Sequence, residues 1–291
     1  MRQEHLFVLF LTVLLCTGCT GGRPHKPLIG GITRPMSDHG KARNRTSGEE
    51  PQAQTIDSIE IPAPLGDRPE QILRREGYTV SYNRELRIAN WVAWHLTAEH
   101  TGGQHKRQGM AYMEDAEVPA PRATTYDYQQ SGYDRGHMCP SADNRWSSKA
   151  QQDCFLLTNM CPQNHSLNGG DWNDLEMACR RWAQAYGDLY IVCGPVPCSQ
   201  KRKAIGRNKI TVPEAFFKVV LRLREEPEAL GFVYQNTGRR QDAYDCVRSV
   251  DEIERLTAID FFPALDDSTE KRVEAETRIA SWSPAYPELR H

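Results

Sequence analysis

The chain lacks net charge: 36 lysines and arginines stand against 38 aspartates and glutamates, a formal balance of −2 over 291 residues. A protein that binds nucleic acid often shows a basic balance, because phosphate neutralisation dominates affinity, and this chain has none. Any cationic surface here must be local, and residues 201–209 with Lys201, Arg202, Lys203, Arg207 and Lys209, the pair Arg239-Arg240 and the pair Arg180-Arg181 are the candidates. The chain also lacks an apolar run long enough to span a bilayer, which needs about 20 residues. Its longest, residues 6–15, is too short. No internal repeat is evident, so a solenoid is excluded and one large domain is the simplest organisation.

What is present at the N-terminus points outward. The short apolar run has the form of an export signal. It ends in Leu15-Cys16-Thr17-Gly18-Cys19, which resembles a bacterial lipoprotein cleavage box with Cys19 as the lipidated residue. Three segments follow: residues 1–19 as signal with lipobox, 20–64 as a Gly-, Pro- and charge-rich flexible tether, and 65–291 as the functional domain. The expected location is the bacterial cell envelope, periplasmic or anchored at the outer membrane, or secreted, with the membrane met only through the lipid. Nine cysteines less Cys16 and Cys19 leave seven, an odd number. One thiol is therefore free or paired between chains, which keeps a homodimer open, and Cys193 and Cys198 are spaced to close a small loop.

Aromatic and β-branched residues predict strands at 78–82, 91–97, 189–193, 216–223 and 230–235. Residues 171–186 predict the clearest helix. Leu175, Ala178, Cys179, Trp182 and Tyr186 recur at three- and four-residue steps, and Gly187 ends the pattern. Glu176 falls one residue off that stripe, and Asn168 sits in the Asn-Gly-Gly turn just before the helix.

Residues 132–144 read GYDRGHMCPSADN and residues 156–176 read LLTNMCPQNHSLNGGDWNDLE. They bring together a base (His137), a cation (Arg135), two amides (Asn159, Asn168) and a carboxylate (Glu176). A histidine takes a proton near neutral pH, an arginine grips phosphate oxygens with paired donors, and an amide oxygen suits Mg²⁺, which keeps most of its waters. The set is that of phosphodiester cleavage. The tetrad Asp134-Arg135-Gly136-His137, the segment Asn159-x-x-Pro162-Gln163, and Asn168 ahead of Trp172-x-x-Leu175-Glu176 resemble the DNA/RNA non-specific endonuclease family, the His-Me-finger nuclease group. The likeness extends over roughly residues 78–265.

The resemblance implies an α+β fold with a central antiparallel sheet, flanking helices and a ββα-metal site. It implies a hydrolase that cuts DNA and RNA with little sequence preference and leaves 5′-phosphate ends. His137 is then the general base and Asn168 the direct ligand of one Mg²⁺, with Mn²⁺ as substitute. Glu176 holds the ion's waters, Asn159 orients the site, and Arg135 and Arg107 bind phosphate. Asp134 and Gly136 read as structural. Three other readings stand beside this one: a non-catalytic envelope lipoprotein that binds a polyanion or protein, a small-nucleotide phosphodiesterase, and a structural zinc module built on His137, Cys139, Cys161 and His165.

Overall fold

The computed structural model describes residues 58–197, 202–224 and 226–282. The export signal, Cys19 and the tether up to residue 57 lie outside the described residues, as does Cys198. In chain order the elements are β1 (Gln71–Arg74), β2 (Thr79–Asn83), β3 (Ile88–Leu96), β4 (Asp134–His137), α1 (Ser148–Asp153), β5 (Met160–Gln163), α2 (His165–Gly169), α3 (Asp171–Tyr186) and β6 (Leu189–Pro195). They continue with β7 (Ala204–Ile205), β8 (Ile210–Thr211), β9 (Ala215–Arg222), β10 (Glu228–Gln235), α4 (Ala243–Cys246), β11 (Val247–Arg248), α5 (Val250–Thr257), α6 (Asp267–Ala275) and α7 (Ile279–Trp282).

Seven strands form one sheet in the order β1-β2-β3-β6-β9-β10-β11, every neighbouring pair antiparallel. The central strands are buried on both faces, so alternate residues feed two cores. On β9, Phe216 and Val220 face one core, whereas Phe217, Val219 and Leu221 face the other. The first core receives Leu175, Ala178, Cys179 and Trp182 of α3. Removing such side chains from water contributes about 1.5–3 kcal/mol each for the larger ones. The second is closed by Val250 and Ile253 of α5 and Val273 of α6. This is a helix–sheet–helix layering.

The predicted helix appears with the predicted bounds, and Gly187 ends it at φ 89°, a left-handed geometry that favours glycine. Two features differ from the sequence reading. Asn168 is not in an open turn but in the last turn of α2, with its N–H on the Asn164 carbonyl (2.9 Å). Residues 58–64, assigned by composition to the tether, pack on the domain: Ile59 is buried in the second core and the Ala63 N–H donates to the Asp260 carbonyl (3.0 Å). Two isoleucines among prolines have no periodicity for a sequence pattern to detect.

Candidate active site

The strand pair β4–β5 and the helices α2 and α3 form a ββα unit beside the first core. Its register sets Arg135 opposite Pro162 and His137 opposite Met160. Gly136 is needed in the middle: a Cβ there would stand 2.2 Å from Gln163 Oε1. The tetrad's glycine and the second motif's glutamine are thus two halves of one close contact.

Arg107, Arg135, His137, Asn168 and Glu176 all line a cleft of about 820 Å³. Arg107 arrives on the loop after β3, which is held by the His105 N–H on the Arg145 carbonyl (3.2 Å) and by Arg145 Nη2 on the Gly103 carbonyl (3.0 Å). Lys106, Arg145 and Arg180 join them at the cleft wall, so the positive field absent from the net charge is concentrated here. Among the described residues of the three basic clusters singled out by sequence, Arg180 alone lines the cleft. It lies one helical turn beyond Glu176, an i,i+4 spacing that could have marked it.

His137 projects its ring edge-on to Phe155, with centroids 5.2 Å apart. Its Nε2 is buried with no hydrogen-bond partner. Burial, with Arg107 adding to it, pushes the imidazole down to about 3, so it is neutral near pH 7 and able to accept a proton. Arg135 stacks over Tyr112 (4.8 Å) and leaves its Nε unpartnered. Asn168 donates from Nδ2 to Asp134 Oδ2 (2.9 Å), which also meets His165 Nδ1 at 2.9 Å. A carboxylate only accepts, so this contact fixes the amide's orientation and leaves Asn168 Oδ1 for a ligand.

Asn159 does not reach the cleft. It is fully buried, accepts from the Cys139 N–H (2.9 Å), and donates to the carbonyls of Cys139 (2.9 Å) and Cys154 (3.0 Å). Its own carbonyl accepts from the Met138 N–H (2.9 Å). It clamps the chain just after His137, so its place is positioning rather than contact with the reacting atoms.

Beneath the cleft lies a group that sequence reasoning missed. Lys218 on β9 is fully buried, its Nζ 4.5 Å from the Trp172 ring centroid and 5.2 Å from that of Trp94, without a hydrogen-bond acceptor. Buried Asp143 takes hydrogen bonds from Arg180 Nη1 (2.9 Å) and Trp94 Nε1 (3.1 Å). Burial raises Glu176 to about 7, against the pull of Lys218 and Arg180.

The zinc alternative fails among the described residues. Cys139 and Cys161 are buried free thiols, His165 is exposed on Asp134, and the four do not form a ligand cluster. All six described cysteines are free, and Cys193 donates its thiol to the Met138 carbonyl (3.2 Å) rather than closing a loop. For a hard cation the fit is better: one oriented amide oxygen and one carboxylate face the cleft, a set that suits an ion keeping most of its waters.

Residues 57–268 match the model of the DNA/RNA non-specific endonuclease family. The chain belongs to that family. Mitochondrial nuclease EXOG of Mus musculus is 33% identical over 68% of this chain and 59% of its own length. The chain thus spans less than two thirds of that relative. A nuclease of Nostoc sp. is 30% identical over 91% of this chain and 94% of its own. A chain in the crystal structure of the EndoG/EndoGI complex superposes with a TM-score of 0.68 at 26% identity, covering 76% of this chain and 94% of that one.

Proposed function

We propose that this member of the DNA/RNA non-specific endonuclease family hydrolyses phosphodiester bonds of both DNA and RNA with little sequence preference, using one Mg²⁺ and leaving 5′-phosphate ends. The observation that carries the reading is His137: a neutral imidazole whose Nε2 has no hydrogen-bond partner, in a cleft that it shares with Arg107, Arg135, the oriented amide of Asn168 and the carboxylate of Glu176.

His137 takes the proton of the attacking water as its oxygen bonds to phosphorus; the bond to the 3′ oxygen breaks, and the phosphate stays on the 5′ side. Bound substrate brings negative charge beside a ring that burial and Arg107 hold at low pKa, so its basicity rises as it is needed. Arg107 and Arg135 grip the phosphate oxygens and offset the charge that develops there. Asn168 Oδ1 and Glu176 would hold the divalent ion, which supplies charge stabilisation to the phosphate and the departing oxygen when bound. Asp134 keeps Asn168 turned for that task, and Asn159 keeps His137 in place. The cationic groups of the cleft address phosphate, which supports low base selectivity.

The N-terminal signal and lipobox support an envelope lipoprotein anchored through Cys19. Mass spectrometry of the membrane fraction would detect the lipidated residue, and an unmodified mature N-terminus would reject the anchor.

The decisive assay is plasmid relaxation and RNA degradation with Mg²⁺ and with chelator, beside His137→Ala. Metal-dependent cutting of both substrates, lost in the folded variant, is expected. A folded wild-type protein that cuts neither with Mg²⁺ or Mn²⁺, yet binds nucleic acid, would replace hydrolysis by a binding role. Turnover of dinucleotides alone would point to a small-nucleotide phosphodiesterase.

A further inference from the structure

We propose that Asp251, Glu254 and Glu274 form a second hard-cation site, of the calcium class, that ties α5 to α6 on the face of the sheet opposite the cleft. Asp251 and Glu254 stand three residues apart on α5 and so share a face. Glu274 comes from the last turn of α6. One oxygen from each carboxylate lies within 4.8 Å of the others. Oxygens around one calcium ion, each at about 2.3–2.6 Å, stand about 3–5 Å apart, so small side-chain adjustments bring all three onto one ion.

Proximity of acids alone is common on helical surfaces, and it is Glu274 that makes this a site. Its side chain is only 7% exposed, and its Oε1 is buried with no hydrogen-bond partner. A buried carboxylate oxygen left without a donor costs about 1–3 kcal/mol or more. The charges acting most strongly on Glu274 are all of its own sign: Glu254, Glu270, Asp251 and Asp260. Those acting on Glu254 are Asp260, Asp251 and Glu270. A cation held by the three carboxylates relieves that repulsion and, taken up through Oε1, would also satisfy the unpartnered oxygen. Glu254 is pre-set for it, because the Phe261 N–H bonds its Oε1 at 2.8 Å and fixes the carboxylate plane.

Calcium suits the set better than magnesium. Magnesium demands near-octahedral geometry at about 2.0–2.1 Å and gives up its waters reluctantly, whereas calcium accepts six to eight oxygens in irregular arrangements. Three carboxylates, with Asp260 and Glu270 close by and water in the remaining positions, meet that need. The ion would join the two helices that close the second core and leave the cleft untouched.

The test is calcium titration of the chelator-stripped full chain by calorimetry, run beside Asn168→Ala and Glu274→Gln. Asn168→Ala removes the proposed ligand in the cleft, so calcium bound there is lost and calcium bound at α5–α6 stays. One equivalent that persists in Asn168→Ala and weakens by about tenfold or more in Glu274→Gln is the expected result, since a three-carboxylate site loses a charged ligand. Saturating calcium should raise Tm by about 5 °C in the parent and not in Glu274→Gln. Glu274→Gln should cut nucleic acid, or bind it, as the parent does. If that variant does not fold, Asp251→Asn, on the helix surface, carries the same expectation. Loss of all calcium binding in Asn168→Ala, or unchanged binding in both back-face variants, overturns the site and leaves these carboxylates sharing protons instead.

Discussion

The two faces of the central sheet bury charge in opposite ways. On the cleft face, buried Lys218 and half-buried Arg180 lie among Asp143 and Glu176, so each carboxylate has a cation acting on it. On the other face, the charges acting most strongly on Glu254 and Glu274 are those of further carboxylates, and Glu274 keeps an unsatisfied oxygen. In a mixed-sign network the fold itself supplies the counter-charges. A single-sign cluster is completed only from solution, by protons or by a cation. The cleft face is therefore built to present fixed charge to a phosphodiester, and the opposite face to respond to what is dissolved around it.

The largest effect expected on the cleft side is that of His137→Ala. Removing a general base lowers turnover by about 10²–10⁴-fold, and single-turnover cleavage of a labelled duplex would measure it. The back-face response to calcium should survive this variant unchanged; a lost response would join the two faces into one site. Next comes Lys218→Met. Removing one partner from a buried charge network typically costs about 3–5 kcal/mol, and the fall should appear as a lower urea midpoint. Adding Asp143→Asn should restore part of it, because the carboxylate left short of positive charge is then gone. Full additivity of the two changes would show that Lys218 is held by its tryptophan rings rather than by the acids.

Much of the cleft face was legible in the sequence, because its chemistry sits in three ordered motifs and its helix has a clean apolar stripe. Arg107, Arg135, His137, Asn168 and Glu176 converge as expected. Lys218 was not legible. In Phe216-Phe217-Lys218-Val219-Val220 a lysine reads as the solvent side of an alternating strand, and only a sheet covered on both faces puts it inside. Asn159 was visible as a motif residue, but its role depends on three backbone partners that no spacing reveals. No motif marks the back-face acids in the sequence. Asp251 and Glu274 are 23 residues apart in the chain, and it is the packing of α5 and α6 on β10 that brings them together.

A smaller effect on the cleft face is expected from Asp134→Ala. It frees the Asn168 amide to turn and removes a negative charge beside the ion's place. Loss of such an orienting carboxylate typically weakens metal binding by about 10–100-fold. The Mg²⁺ concentration for half-maximal cleavage should rise, with most of the rate recovered at high Mg²⁺. A rate that stays low at every Mg²⁺ concentration would mean that Asp134 supports β4 itself.

The smallest effect separates the faces by pH. In cation-free buffer, Glu254 is raised to about 7 and Glu274 to about 8, chiefly by burial and then by neighbouring carboxylates. Folded-state values above the unfolded ones mean that the native protein binds more protons. The stability from these groups is thus fully present below about pH 4.5 and is lost as pH rises through 7 and 8. Glu274→Gln keeps the shape of the protonated acid and cannot ionise, so it should flatten the back-face share of that decline in Tm between pH 6 and 8.5. On the cleft face Glu176, raised to about 7, adds its own share to the alkaline decline, and that share is untouched by Glu274→Gln. His137 has the opposite sign: its value is depressed to about 3, so its share is intact above about 6.5 and is lost as pH falls toward 3. Calcium should flatten the alkaline decline in the parent and leave the acid one as it was. If calcium altered both limbs, or Glu274→Gln neither, the two faces would not be handling charge independently.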